Sequence, residues 1–304
     1  MTLHGWLILD KPVGPGSTDA VSKVKRALRA GGYPKMKVGH GGTLDPLASG
    51  VLPVALGEAT KLAGRLLDSD KVYEFTVRFG EQTDTLDAEG TVIATSPVRP
   101  TAEAVAAVLA RFTGPIRQTP PAYSALKVGG QRAYDLARAG QDVVLAERAV
   151  VIHSLYVPPG PSDDELAEAT FVAHVSKGTY IRSLARDIAL ALGTVGYVTH
   201  LRRVKAGPFD LSGAITLDKL AELGQARALE HHLLPLRAGL DDIPALSLTP
   251  DQAGALRQGR VLAGIAADAI REGGGLHFAL LGDLPIALVE VRDREVRVER
   301  GFNL

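Results

Sequence analysis

The sequence predicts an α+β protein in two unequal parts, a larger region of mixed strands and helices followed by a small β-domain. Three observations carry this. Residues 71–79 alternate Tyr73, Phe75, Val77 and Phe79 with more polar neighbours, the period of a half-buried strand. Residues 18–29 and 180–192 place Val21, Val24 and Leu28, then Ile181, Leu184 and Ile188, at helical spacing. Several short strands follow a connector at residues 230–244. At 304 residues, 46% hydrophobic and 22% charged, the chain can bury a sizeable core.

In order along the chain, Trp6-Leu7-Ile8-Leu9-Asp10 is an apolar strand stopped by Lys11-Pro12. Ser17 is the expected N-cap of the first helix, and Gly31-Gly32 ends it. Residues 38–50 then crowd glycines around His40 and Asp45. Glycine belongs where a backbone takes positive φ or is approached closely, so this loop is shaped to receive something. Residues 50–56 read as a buried strand that pins the loop to the core, and residues 58–67 as a helix.

After the alternating strand, residues 82–90 form a polar loop, and Thr101 caps a helix with Val105, Val108, Leu109 and Phe112 on one face. Residues 118–134 hold two prolines, two glycines, two tyrosines, Lys127 and Arg132 without a core-like period. This is a protruding segment whose aromatics could stack on bases and whose cations could meet phosphates. A helix to Arg138, closed by Gly140, follows. Residues 147–157 and 170–176 read as strands on either side of the acidic loop Asp163-Asp164-Glu165. In the helix at 180–192, closed by Gly193, Arg182 and Arg186 share a face away from the apolar one. Arg182 sits in the first turn, where the helix dipole disfavours a cation, so it needs an anionic partner. Beyond the connector come a helix at 250–258, the turn Gly273-Gly274-Gly275, and strands near 277–281, 285–291 and 295–299.

The 34 basic and 34 acidic residues cancel, but they are segregated. Residues 20–44 carry Lys23, Lys25, Arg26, Arg29, Lys35 and Lys37 and no acid; residues 176–207 carry six cations, including Arg202 and Arg203, against Asp187 alone. Such segregation can give a neutral protein a phosphate-binding face; the alternative is two solvated helix faces. There is no cysteine, which excludes disulfides and thiolate metal sites. No signal-like start and no membrane-length apolar run is present, so the cytoplasm is the expected location.

Several chemistries are set aside. There is no Walker-type loop, no helical His-Glu-x-x-His and no Gly-x-Ser-x-Gly elbow. The pair His231-His232 has no acid or cysteine beside it at ligand spacing and reads as connector surface. What remains is an aspartate in a shaped loop, an aromatic strand, an arginine in need of an anion, and a positive face. Asp45 is the candidate reactive group, the alternative being a turn former before Pro46. Tyr73 can present its ring to a cleft, the alternative being a core aromatic.

Gly39-His40-Gly41-Gly42-Thr43-Leu44-Asp45-Pro46-Leu47-Ala48-Ser49-Gly50 resembles the catalytic signature of the TruB family of transfer-RNA pseudouridine synthases. Leu9-Asp10-Lys11-Pro12, Lys71-Val72-Tyr73, Thr83-Asp84-Thr85, the stretch Pro120 to Lys127, Ser176 to Arg182, and Leu201-Arg202-Arg203 resemble its other segments, in order. The resemblance implies a catalytic domain over residues 1–243 with a mixed, mainly antiparallel sheet and a helical RNA-gripping insertion at about 118–147. A PUA-like β-barrel would follow at 244–304. It implies isomerisation of uridine 55 in the tRNA T stem-loop to pseudouridine, with base flipping and with no metal or cofactor.

Asp45 matches the catalytic aspartate, which either attacks the sugar at C1′ or removes its C2′ proton. Arg182 matches its pairing arginine, and Tyr73 the tyrosine that stacks on the uracil. His40 matches the histidine that fills the space left by the flipped base. Lys11 and Leu201 match pocket-supporting positions, while Tyr180, Lys127, Arg132, Arg202 and Arg203 are further expected substrate contacts. Gly41 stands where threonine is common in the family, and Gly16 where a hydroxyl residue is common. Two rival functions are a guide-RNA-dependent synthase of the dyskerin-like branch and a non-catalytic tRNA-binding or folding protein. The first is disfavoured by the insertion and by the absence of Lys-rich tails; the second would not depend on Asp45. No protein partner is evident.

Overall fold

The computed structural model describes residues 2–159, 165–240, 243–264 and 274–304. Asp163 and Asp164 of the acidic loop, part of the connector and Gly273 lie outside the described residues. The first strand, β1 (Gly5–Lys11), is followed by α1 (Ser17–Ala30), β2 (Val38–His40) and β3 (Ser49–Leu56). The stretch expected as one helix at 58–67 is a 3-10 turn, Gly57–Lys61, then a short α2 (Ala63–Asp68). Then come β4 (Lys71–Phe79), the hairpin β5 (Glu81–Thr83) and β6 (Val92–Thr95), α3 (Ala102–Val108) and β7 (Gly114–Gln118). The segment expected to protrude does so only in part: Gln118, Pro120, Pro121 and Ser124 are buried, and beyond them come a small hairpin, β8 (Lys127–Val128) and β9 (Gln131–Arg132), and α4 (Ala133–Arg138).

The remainder of the main sheet is β10 (Arg148–Tyr156), β11 (Glu168–Val175), β12 (Gly196–Ala206) and β13 (Phe209–Asp210); α5 (Ile181–Ala191) lies between β11 and β12. Its path runs β1-β3-β12-β4-β11-β10-β7, with β2 on β3 and β13 on β12. Every pair is antiparallel except β12 with β3, so the sheet is mixed and mainly antiparallel as expected. The core lies between one face of this sheet and the helices. Phe75, Val77 and Phe79 of β4 meet Val21 and Val24 of α1, Leu184 and Ile188 of α5, and Leu220 of the next helix, α6 (Leu217–Gln225).

The C-terminal part comprises β14 (Ala245–Ser247), α7 (Pro250–Arg257), β15 (Leu262–Ala263), β16 (Gly275–Leu281), β17 (Leu284–Arg292) and β18 (Glu295–Gly301). Its sheet, in order β14-β16-β17-β18-β15, is curled as a half-barrel. It does not stand apart from the larger region. Phe278 and Phe302 share one buried cluster with Trp6 and Phe209, and Lys61 donates to the Gly301 carbonyl at 2.8 Å. No helix among the described residues is long and apolar enough to cross a membrane.

One cap differs from expectation. Gly16, not Ser17, is the N-cap of α1, and its N–H donates to the Asp19 carboxylate at 3.0 Å. Ser17 is buried at the first position of α1, and its hydroxyl points to the glycine-rich loop instead.

Candidate active site

The loop from Gly41 to Ala48 joins two strands of one sheet and is tied down from four directions. Ser17 Oγ donates to the Leu44 carbonyl at 3.0 Å and accepts the Leu44 N–H at 2.7 Å. Arg203 reaches under the loop, donating to the carbonyls of Val51 at 2.8 Å and of Thr43 and Gly42 at 3.2 Å each. Lys11 donates to the carbonyls of Pro12, Pro15 and Pro46 at 2.9, 2.8 and 3.4 Å. Gly14 N–H also donates to Pro46, at 2.8 Å. Burial of the Lys11 ammonium lowers its pKa to about 8, against the pull of Asp45.

Two glycines here have specific causes. Gly50 takes φ +101°, and a Cβ on it would sit 2.2 Å from the Arg203 carbonyl, where β3 and β12 meet in parallel register. A Cβ on Gly41 would lie 2.6 Å from Leu66 Cδ1. The space a side chain at position 41 would take is therefore filled here by Leu66 of α2.

The loop delivers Asp45 to Arg182. That arginine stands in the first turn of α5, and the N–H of the N-cap residue Tyr180 donates to the Gln118 side chain at 2.8 Å. Its two terminal nitrogens make four bonds of 2.9 Å. Nη2 donates to Asp45 Oδ2 and the Tyr123 carbonyl; Nη1 donates to Asp87 Oδ2 and the Thr85 carbonyl. The anion demanded by the helix dipole is thus two carboxylates of opposite exposure. The Asp87 side chain is 3% exposed and that of Arg182 7%, whereas Asp45 is 41% exposed. One charge neutralises the guanidinium inside the protein, and the group facing solvent is the Asp45 carboxylate. Such charge-assisted bonds are about twice as strong as neutral ones and fix direction.

A cavity of about 200 Å³ opens beside this pair, lined by Asp45, Tyr73, Tyr180, Arg182, Leu201 and Ser124 among others. Larger clefts of about 840, 670 and 410 Å³ lie elsewhere, under α3, beside α1 and beside α2; the last is lined by Arg65, Asp68 and Asp70, but none of the three is reached by Asp45, Tyr73 or Arg182. Tyr73 packs on the core while its ring reaches the cavity, and the Arg148 guanidinium sits 5.2 Å over the Tyr180 ring. The arrangement offers one fixed carboxylate, an aromatic face and backbone carbonyls. It suits proton transfer or nucleophilic attack by the carboxylate on a planar group held against the aromatic face.

The expected residues divide into groups. Asp45, Tyr73, Arg182, Leu201 and Tyr180 meet in the cavity. His40 stands at the start of the loop, opposite Val54, with its pKa lowered by burial and by the charge of Arg203, so it is neutral at neutral pH. Lys127 and Arg132 face one another across the small hairpin, exposed, with Arg132 donating to the Ala125 carbonyl at 3.1 Å.

Three expectations change. Arg203 is 1% exposed and braces the loop rather than extending a positive surface. Arg202 is engaged with Asp10 through two bonds of 3.0 and 2.8 Å. Arg182 is buried rather than sharing a surface face with Arg186, whose side chain pairs with Asp187 at 2.8 Å and donates to the Thr119 carbonyl at 3.2 Å.

Four contributors were missed. Asp87 lay inside what read as a polar loop, and Ser17 was read as a cap. Ser124 lines the cavity with its hydroxyl buried. Glu89 lies close enough that burial, then the charges of Asp87 and Asp45, raise its pKa.

The chain is similar to known proteins over its whole length. Residues 25–181 match the family described as TruB family pseudouridylate synthase (N terminal domain), and residues 182–241 match tRNA pseudouridylate synthase B C-terminal domain. The tRNA pseudouridine synthase B of Novosphingobium aromaticivorans is 62% identical over 99% of this chain and 98% of its own. That of Zymomonas mobilis is 60% identical over 99% and 96%. Among solved structures, an H/ACA RNP bound to a substrate RNA containing 2'-deoxyuridine superposes with a TM-score of 0.72 at 25% identity, over 99% of this chain and 86% of the other. A Cbf5-Nop10-Gar1 complex gives 0.71 at 26%, over 99% and 85%.

Proposed function

The chain belongs to the TruB family of pseudouridylate synthases and is a tRNA pseudouridine synthase, an isomerase; from that premise we propose that it converts uridine 55 in the T arm of tRNA to pseudouridine, with Asp45 as the reacting carboxylate. The observation that carries the reading is the Asp45–Arg182 bond of 2.9 Å at the mouth of a cavity that Tyr73 also lines.

The reaction must break the bond from the ribose to N1 of uracil, turn the base, and rejoin it through C5. A base paired or stacked in the T arm cannot turn, so it is flipped into the cavity, where Tyr73 and Leu201 bound it. Asp45, aimed by Arg182, meets the sugar. Attack at C1′ and removal of the C2′ proton both start from this carboxylate. His40, neutral and at the loop's start, occupies the place the base leaves. The hairpin bearing Lys127 and Arg132 grips the arm through phosphates, with the cations of α1 as a second contact. The C-terminal half-barrel, taken as a PUA-like domain from residue 244, extends the RNA-binding face.

The experiment uses pure protein and an unmodified tRNA transcript, with pseudouridine mapped by carbodiimide-blocked primer extension. Wild type is expected to give one stop, at position 55, without added guide RNA. Asp45→Asn is expected to keep transcript affinity within about threefold while product disappears, because one isosteric atom is changed at the surface of the pair. Product from Asp45→Asn would refute the chemical role, and a stop elsewhere would refute the site. A requirement for guide RNA would favour the guide-dependent reading.

A further inference from the structure

We propose that Asp70, His153 and His174 form a binding site for a divalent transition-metal ion of the zinc type, apart from the catalytic cavity. The three side chains come from β4's leading edge, β10 and β11, and their ligand atoms all lie within 4.8 Å of one another. His153 Nε2 is 3.1 Å and His174 Nε2 3.8 Å from the same oxygen, Asp70 Oδ2. The two rings sit 4.7 Å apart, tilted by 45°. With metal–ligand bonds of about 2.0–2.1 Å, tetrahedral coordination separates ligand atoms by about 3.3 Å, a spacing that the two nitrogen–oxygen distances bracket.

A second feature aims the ligands. The ladder between β10 and β11 passes from Ile152↔Val175 to Ser154↔His174, leaving His153 as the extra residue of a bulge. A bulge re-aims a side chain that regular pleating would direct elsewhere, and here it brings His153 beside His174. Asp70 is held from behind, because its carbonyl accepts the Gly207 N–H at 2.9 Å. Asp68, two residues before Asp70, is engaged by Lys177 at 2.9 Å. All three proposed ligands are partly exposed, so an ion has access.

Two imidazoles and one carboxylate select the class of ion. Magnesium and calcium prefer all-oxygen shells, whereas imidazole suits zinc and its neighbours. Three protein ligands leave the fourth position to water. Bound there, the ion would cross-link three strands on the side of the sheet opposite Tyr73, since Val72 pairs with His174 and Tyr73 with Ala173. The site is thus a brace for the strand that carries Tyr73.

The test is calorimetric titration of Zn²⁺ into the untagged full chain, freed of metal by chelator and desalting, with Co²⁺ visible absorption as a report on geometry. Wild type is expected to bind one equivalent, with tetrahedral Co²⁺ bands and a Zn²⁺-dependent rise in Tm. His153→Ala and His174→Ala should each weaken binding more than about a hundredfold, beyond the roughly 10–100-fold loss usual for an outer-shell partner. The double variant H231A/H232A, the other exposed histidine pair, should bind like wild type. Absence of saturable binding, undiminished binding in His153→Ala and His174→Ala, or loss in H231A/H232A would each overturn the proposal. Melting curves without metal show whether each variant is folded.

Discussion

Asp87→Asn should damage the site although Asp87 lies behind the arginine and away from the cavity. The carboxylate is used at both oxygens: Oδ2 accepts from Arg182 at 2.9 Å, while Oδ1 accepts the Thr85 hydroxyl at 2.6 Å and the Glu89 N–H at 3.0 Å. An asparagine has a single acceptor atom. Whichever way its amide turns, its NH₂ faces a donor, so one side of the network is lost. Losing a hydrogen bond to a charged group costs about 1.5–3 kcal/mol. Arg182 also loses its buried counter-charge, and outright removal in Asp87→Ala should cost about 3–5 kcal/mol.

Stability is read from urea unfolding at constant m, and the reaction from single-turnover tritium release from a transcript labelled at uracil C5. The expected result for Asp87→Asn is a lower midpoint and a rate reduced roughly 10–100-fold, the equivalent of about 1.4–2.8 kcal/mol. Transcript affinity should be nearly unchanged, since the residue is buried. Stability within about 0.5 kcal/mol of wild type together with an unchanged rate would refute the claim that Asp87 holds Arg182 in place.

Other perturbations test the frame around the pair. Ser17→Ala strips both bonds from Leu44, the residue before Asp45, and should cost about 1–3 kcal/mol of stability, with the single-turnover rate falling and transcript affinity held. Gly41→Thr should destabilise by about 1–3 kcal/mol through the contact with Leu66, and a double-mutant cycle with Leu66→Ala should show compensation of at least about 1 kcal/mol; strict additivity would mean the loop simply moves. Lys11 and Lys71, both lowered to about 8 chiefly by burial against an ordinary 10.5, predict a pH effect. Between about pH 8 and 10.5 the unfolded chain binds the protons that the folded one has shed, so their contribution to stability rises with pH over that window. Unfolding measured across it should show a shallower rise for Lys71→Met than for wild type, and an equal slope would contradict the assignment.

The parts of the molecule that were legible in the sequence are those written in a local period. The strand Lys71–Phe79 is found at its expected bounds, and the helix expected at 180–192 spans Ile181–Ala191. Arg182's need for an anion was also local, because a cation in a first turn is unfavourable wherever the rest of the chain goes. The identity of the second anion was not local. Asp87 lies 95 residues away, in a segment whose polarity resembles that of any surface turn. Ser17 was misread for a related reason: one hydroxyl can cap a helix or clamp a distant loop, and only tertiary structure decides. Arg203 is different, since its burial was available to the period-of-two rule. It shares a strand face with Leu201, which lines the cavity, while Arg202 between them turns away.

These particulars converge on why the Asp45 carboxylate can be so exposed and still so fixed. A buried arginine must be neutralised, and had Asp45 been its only counter-charge, the two would have been driven into the interior together or the pair left unstable. Asp87 removes that constraint by satisfying the inner nitrogen of the guanidinium, while the carbonyls of Thr85 and Tyr123 take a proton from each end. The outer nitrogen is then free to direct Asp45 without drawing it inside. The trio of one arginine and two aspartates carries one net negative charge, and the exposed member is the one that faces the cavity. Because the loop that bears Asp45 is separately anchored by Ser17, Arg203 and Lys11, aim and position come from different residues. Damage to Asp87 and damage to Ser17 should therefore multiply in rate when combined, each adding its own free-energy cost, as expected for sites that share no partner.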